Sequence, residues 1–202
     1  MGYATKEQRT SWKVTTAPGS EPVSTSDAKT YLNVSNSLHD TLIDNLVKAA
    51  RTHYEFFTGS AVISQTITQV WDLTPCNAEF ELAVSPLITS TAPVLSYTDE
   101  NGSYQTWASS NYTLDSISPL ARIVKKSTSS WPATGDFPNK WQCVYLAGYA
   151  NAAAVPEDII SAILLMVGFL YENREDIPIN DANNYRIRSF ANIAFGRRLQ
   201  LI

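Results

Sequence analysis

The sequence predicts an α+β fold, a small α-helical bundle interrupted by a β-rich insertion. Three observations predict it. Residues 37–59 repeat apolar side chains at three- and four-residue steps and stop at Gly59. Residues 155–175 hold a nearly unbroken apolar run opened by a proline and two acids. Between them, residues 61–149 change to strand-like alternation punctuated by turn signals. The long helix, about 37–58, is expected to pack on the second, about 156–174, with the insertion leaving and returning near one end of the long helix. One domain over 1–202 follows, with 23–59 and 155–175 as helical core, 60–150 as insertion and 176–202 as a C-terminal helix and tail.

Residues 1–22 are polar, contain Pro18, Gly19 and Pro22, and read as a loose arm. Ser24-Thr-Ser-Asp27 is a capping box that opens a short helix to about Leu32. In the long helix Ser37 is expected to cap and Asp40 to return the bond. Leu42, Ile43, Leu46, Val47, Ala50, Tyr54 and Phe57 make one apolar stripe. Asp40, Asp44, Lys48, Arg51 and Glu55 are assigned to the wet side, with Asp44/Lys48 and Arg51/Glu55 at the pairing distance of one turn. Gly59 supplies the left-handed stop.

The second long helix has Pro156 at its start and Glu157 and Asp158 where the dipole favours negative charge. From Ile159 to Leu170 only Ser161 and Gly168 interrupt the apolar run. A helix apolar all round must be covered all round. The run is shorter than the ~20 residues a bilayer needs. It is therefore a core helix, or one of its faces is buried by another chain.

In the insertion, residues 61–71 alternate, with Val62 or Ile63, Ile67 and Val70 among Thr, Ser and Gln. Residues 80–84 form a short strand. Residues 93–98 and 104–107 flank Asp99-Glu-Asn-Gly102, whose Asn-Gly pair is a hairpin signal. Residues 111–115 and 120–125 make a second hairpin, 127–138 a loop, and 140–149 the last strand. After a Pro-containing linker, Ile187, Phe190, Ala191 and Ala194 recur at helical steps, and Gly196 ends that helix.

The chain has 44% hydrophobic residues and only 17% charged ones, with a net charge of −4. Residues 183–202 contain Arg186, Arg188, Arg197 and Arg198 and no acid, a local +4 that leaves −8 for residues 1–182. The body would repel nucleic acid while the tail would seek an acidic surface. Cys76 and Cys143 have no metal spacing and are too few for a disulfide framework, so both read as reduced thiols. No signal, transit or lipidation pattern precedes the first helix, which points to a protein made and kept in a cytoplasm.

No chemistry announces itself. The phosphate loop, dinucleotide glycines, nucleophile elbow and paired-histidine helix are all missing from the sequence. His39 and His53 lie about four turns apart on one helix, read as a surface and a half-buried residue. Asp40 and Asp44 read as a solvated face rather than a cation site, and Glu79 and Glu81 as the wet side of a strand. No catalytic residue, metal site or cofactor is expected. The tail admits two readings: it folds back on its own bundle, or it docks in a partner's groove through paired arginines and an apolar end.

An ordered series of short motifs adds a family. Pro22-Val-Ser leads to Ala28-Lys29, Tyr31-Leu-Asn-Val34 precedes the long helix, and Phe57-Thr-Gly59 closes it. Thr98 to Gly102, Asn111-Tyr-Thr-Leu-Asp115, Ala147-Gly-Tyr149, Val155-Pro156 and Tyr171-Glu-Asn-Arg-Glu175 follow. From about Val14 to about Glu175 the chain resembles the tailed-bacteriophage head–tail connector family, in its long form with a β insertion.

The resemblance implies a virion protein of the neck, assembled in the host cytoplasm, with no catalysis. It implies a ring of twelve copies beneath the portal, joined to a stopper or tail protein, through which double-stranded DNA passes without sequence-specific binding. It implies a portal-binding tail: Tyr185, Arg186, Arg188, Phe190, Phe195, Arg197, Arg198, Leu199, Leu201 and Ile202. Subunit and core packing is expected at Leu46, Tyr54, Ile163, Phe169 and Tyr171, and tail-side loops at Asn101, Gly102 and Trp131. The rival readings are another neck or tail-completion protein, and a carbohydrate- or host-surface-binding module that uses Trp107 and Trp131.

Overall fold

The computed structural model describes residues 9–173 and 185–197, with backbone only for 185–188. Its strands are β1 (Thr10–Thr16), β2 (Gln65–Trp71), β3 (Glu79–Glu81), β4 (Val94–Thr98), β5 (Tyr104–Thr106), β6 (Tyr112–Asp115), β7 (Arg122–Lys125) and β8 (Trp141–Ala147). Its helices are α1 (Thr25–Leu32), α2 (Asp40–Thr58), α3 (Glu157–Glu172) and α4 (Tyr185–Gly196). The mixed α+β class expected from the sequence is the one observed. The chain divides into two units: a β unit of residues 1–17 and 65–148, and a helical unit of 18–64 and 149–202.

In the β unit, one sheet runs β1-β2-β8-β4-β5 and a second runs β3-β7-β6, every neighbouring pair antiparallel. β1 corrects the loose-arm expectation. Thr-Ser-Trp-Lys-Val-Thr-Thr is rich in β-formers, and it pairs along β2 from Thr10↔Trp71 to Thr16↔Thr66 with one irregularity after Val14. Each residue of this edge strand is exposed, so no burial pattern marks it in the sequence.

β2 buries the face that carries two glutamines. Gln65, Ile67, Gln69 and Trp71 point inward and Val70 does not. Buried Gln69 is made tolerable by four hydrogen bonds. Its Nε2 donates to Thr10 Oγ1 (3.1 Å) and the Glu81 carbonyl (3.0 Å), and its Oε1 accepts from the Ala83 N–H (2.9 Å) and the Tyr145 hydroxyl (3.1 Å). Trp141, Cys143, Tyr145 and Ala147 of β8 alternate inward opposite this strand.

Aromatic rings fill the space between the two sheets. Phe80 lies 4.8 Å from Trp71, 5.0 Å from Trp141 and 5.5 Å from Trp131, between ring centroids. Trp107 stacks on Trp131 at 4.9 Å and on Tyr112 at 5.6 Å. Both hairpins fall where the sequence puts them, β4–β5 around Asn101-Gly102 and β6–β7 in register from Asp115↔Arg122.

In the helical unit, α1 is capped as expected: Ser24 Oγ accepts from the Asp27 N–H (3.1 Å), and Asn33 closes it at φ 55°. α2 begins three residues later than the cap assigned to Ser37. His39 takes the N-cap position without a side-chain cap bond, and the Ser37 carbonyl only accepts from the Asp40 N–H. Gly59, at φ 73°, ends it as expected.

Immediately after, the outgoing and returning chain run side by side. Ser64 N–H donates to the Tyr149 carbonyl (2.9 Å), and Tyr149 N–H to that of Val62 (3.2 Å). The core joins Ile43, Val47, Ala50 and Tyr54 of α2 to Ile159, Ala162, Ile163 and Val167 of α3 and to Phe190 and Ala194 of α4.

Candidate functional site

The residues expected at subunit and core packing come from α2 and α3. Tyr54 and Ile163 are fully buried inside their own unit, while Leu46, Phe169 and Tyr171 are half-buried against the same core. Tyr54 and Ile163 are therefore core residues and offer no surface to another chain. Burial pushes the Tyr54 phenol up to about 12, and its oxygen finds no hydrogen-bond partner among the described residues. Tyr171 meets His39 at 2.8 Å (hydroxyl to Nδ1), which ties the end of α3 to the start of α2. His53 is exposed rather than half-buried, its ring 5.4 Å from that of Phe190.

α3 needs less outside cover than its composition suggests. Of its residues only Glu157, Ser161 and Glu172 are exposed, and the apolar ones are buried or half-buried within the unit. Pro156 sits at the N-cap rather than inside the first turn.

The charges of α2 correct the sequence reading more strongly. Arg51 is not on a wet face but buried. Its Nε donates to Glu21 Oε2 (2.7 Å) and its Nη1 to Glu55 Oε2 (2.7 Å). Glu55 Oε1 also accepts from the Val62 N–H (2.8 Å), so the carboxylate holds the chain just past the helix. Burial pushes the Glu55 carboxyl up, against the lowering by the Val62 N–H and Arg51. For Arg51, burial favours loss of the proton, but the two carboxylates outweigh it and raise its pKa. The signal was available: Arg51 lies four residues after Val47 and three before Tyr54, on the core side of the helix. Asp40 pairs with Lys29 and Asp44 with Lys48, both at 2.6 Å, so neither faces a shared cation.

For the expected portal-binding tail, the structure places part of the set. Phe190 is 2% exposed, packed edge-on to Tyr54 at 6.2 Å and against Phe57 at 6.2 Å, and is thus a core residue of its own unit. Arg197 forks onto Asp158 in the first turn of α3, Nε and Nη2 at 2.8 and 2.9 Å. Phe195 stands 63% exposed. The side chains of Tyr185, Arg186 and Arg188, and the residues Arg198, Leu199, Leu201 and Ile202, lie outside the described residues.

The expected tail-side loops are in the β unit. Asn101 and Gly102 (φ 82°) form an exposed hairpin tip. Asp99 holds it, Oδ1 accepting from the N–H groups of Asn101 and Ser103 and Oδ2 from Gln105 Nε2; the Ser103 N–H contributes most to lowering its pKa. A side chain at Gly135 would meet Phe137 at 2.5 Å and the Asp99 carbonyl at 2.8 Å, so only glycine fits beside the tip. Trp131 is no loop ornament. It is locked among Phe80, Trp107 and Trp141, and Trp107 is buried. Both rings proposed as a sugar platform are consumed by packing.

Among the described residues no group of three His, Cys, Asp or Glu could hold a metal, and no helix is long and apolar enough to cross a membrane. Cys143 is buried, which pushes its thiol well above the ordinary range; Cys76 is exposed.

Sequence reasoning missed the face of α2 opposite the core. Leu38, just before the helix, Leu42 and Phe56 are exposed there, Leu38 by 86% and Phe56 by 89%. The signal that finds it is the position of the charges, which crowd one flank and leave the outermost face bare.

This architecture is shared with components of phage-like particles. One matching solved structure comes from the neck of an empty gene transfer agent particle computed with C6 symmetry: TM-score 0.76, 18% identity, 95% of this chain and 97% of that chain covered. A second, from the neck of the native particle computed with C12 symmetry, matches at TM-score 0.75 and 17% identity over the same shares. A third, from the virion of the native particle, gives 0.73 and 16%. At these identities the likeness is one of fold. No protein-family pattern matches the chain, and no curated protein sequence does.

Proposed function

We propose that the chain is a structural neck component of a tailed phage or phage-like particle: an adaptor that forms a ring under the portal, extends the DNA channel and joins capsid to tail. The observation that carries this reading is fold likeness along nearly the whole chain, 95% of it, to a protein of a particle neck. The C6 and C12 symmetries with which those necks were computed support a closed ring of repeated copies, twelve in this proposal. A closed ring needs two different surfaces on each copy. A net charge of −4 suits a channel wall that does not grip phosphates as DNA slides past. The ordered motif series and the arginine-bearing end support portal docking in the same direction. No reaction is assigned to the protein.

Because Phe190 and Ala194 belong to the core, removal of the whole of 183–202 would damage the fold. Removal of 198–202 is the cleaner test. The shortened chain, pulled down on isolated portal rings, is expected to lose portal binding while melting as the full chain does. Undiminished binding would remove the docking-tail assignment. Binding of the full chain to tail tubes but not to portal rings would make it a tail-completion protein instead.

A further inference from the structure

The exposed side of α2 has a pattern that the fold does not use. Leu38, Leu42, Asn45, Ala49, Thr52 and Phe56 are all exposed, and they follow one another at steps of 4, 3, 4, 3 and 4. That alternation is the seam along which one helix receives another packed element. The seam is uncharged. Asp40, Asp44, Lys48, Arg51 and Glu55 all lie to one side, and each is paired inside the chain: Lys29–Asp40, Lys48–Asp44, and Arg51 with Glu21 and Glu55.

We infer that this seam is a subunit–subunit contact, and that its occupant is a second copy of the chain. Three points select that occupant. A copy carries the same net charge of −4, so an uncharged face lets two copies meet without like-charge repulsion. A nucleic acid or a basic partner would need free carboxylates or arginines on this face, and α2 has committed all of its own. The helix is about 28 Å long, which is also about the width of the ~800 Å² patch that one side of a stable interface needs. Asn45, Ala49 and Thr52 at the middle are small or short and let a neighbouring backbone come near, while Leu42 and Phe56 supply apolar anchors near the ends.

The inference rests on the neck reading for the arrangement of copies, but not for the seam itself. Phe56→Glu and Leu42→Glu test it, since both side chains are exposed and neither supports the core. The full-length wild type and each variant are followed by sedimentation over a concentration series, with thermal melts as the folding control. The wild type is expected to assemble above its 22.3 kDa monomer mass. Each variant is expected to weaken assembly at least tenfold in concentration with an unchanged melt. A variant that assembles as the wild type does overturns the seam and leaves the neck reading standing. A wild type that pairs only as a closed dimer, broken by Phe56→Glu, keeps the seam and removes the ring. A wild type that stays monomeric throughout overturns the seam as a self-contact.

Discussion

The β unit and the helical unit handle buried polarity in opposite ways. In the β unit the interior is aromatic, and its most deeply buried amide, Gln69, is neutral and answered by four partners. In the helical unit the interior is mainly aliphatic, and the buried polar group is an ion network, Arg51 between Glu21 and Glu55. The first unit turns most of its large rings inward. The second pairs the charges of α2 along one flank, burying only Arg51 with its two carboxylates, and leaves leucine and phenylalanine on the outside.

The sharpest way to break this contrast is Trp141→Ala. Trp141 is fully buried and touches Phe80, Tyr97, Trp107 and Trp131, so its removal should cost about 4 kcal/mol. In urea, tryptophan fluorescence should report loss of the β unit while helical circular dichroism persists. If both signals move together, the two cores are not separately closed.

Arg51→Met should cost somewhat less, about 3 kcal/mol, because it strands two poorly exposed carboxylates. The triple change with Glu21→Gln and Glu55→Gln should recover most of that loss. No recovery would mean that Arg51 acts through packing, not charge.

Acid should separate the units by sign. Asp115 is held well below the ordinary carboxylate range, first by its hydrogen bond from Arg122 and then by that from Ser118. Its folded pKa is depressed, so its contribution is present above its unfolded value of about 3.9 and fades as pH falls below it. Glu55 runs the other way: burial raises its folded pKa, so its share is fully present below the unfolded value and is lost as pH rises through the folded one. Between pH 5 and 3, melts of Asp115→Asn should fall less than those of the wild type. Parallel curves would remove Asp115 as the acid-sensitive group.

The smallest effect belongs to Tyr54→Phe. It deletes a buried hydroxyl without a partner among the described residues, and should leave stability unchanged or raise it by up to about 1 kcal/mol in a urea titration. A clear loss would reveal a partner for that hydroxyl.

Much of the scaffold was legible because it depends on local chemistry. Ser24 with Asp27, Gly59, the Asn101-Gly102 tip and the Asp115–Arg122 hairpin each follow from one or two residues acting on their neighbours. What was hidden depends on phase and on remote partners. β1 was read as an arm because an edge strand exposed on both faces shows no burial period. The burial of Gln69 is not legible because a buried glutamine cannot be anticipated before its four partners are known. The spacing of Arg51 from Val47 and Tyr54 puts it on the core side, but the carboxylate that makes its burial tolerable, Glu21, comes from 30 residues earlier in the chain. Assigning Arg51 to the wet side concealed the bare seam of α2: with the charges set opposite the core, no outer face was left for Leu38 and Phe56. Of the tail, the repeat that placed Phe190 and Ala194 on one side was legible. Whether that side turns home or outward was not, since the spacing is the same in both cases.

The pairing of residues 62–64 with Tyr149 has a mechanical meaning. A pull along the chain at residue 65 or 148 meets the helical unit first at this two-bonded clasp. One strand of the clasp continues from the stop of α2, and the other leads on toward α3. Tension on either is therefore divided between two helices before it can peel one of them from the core.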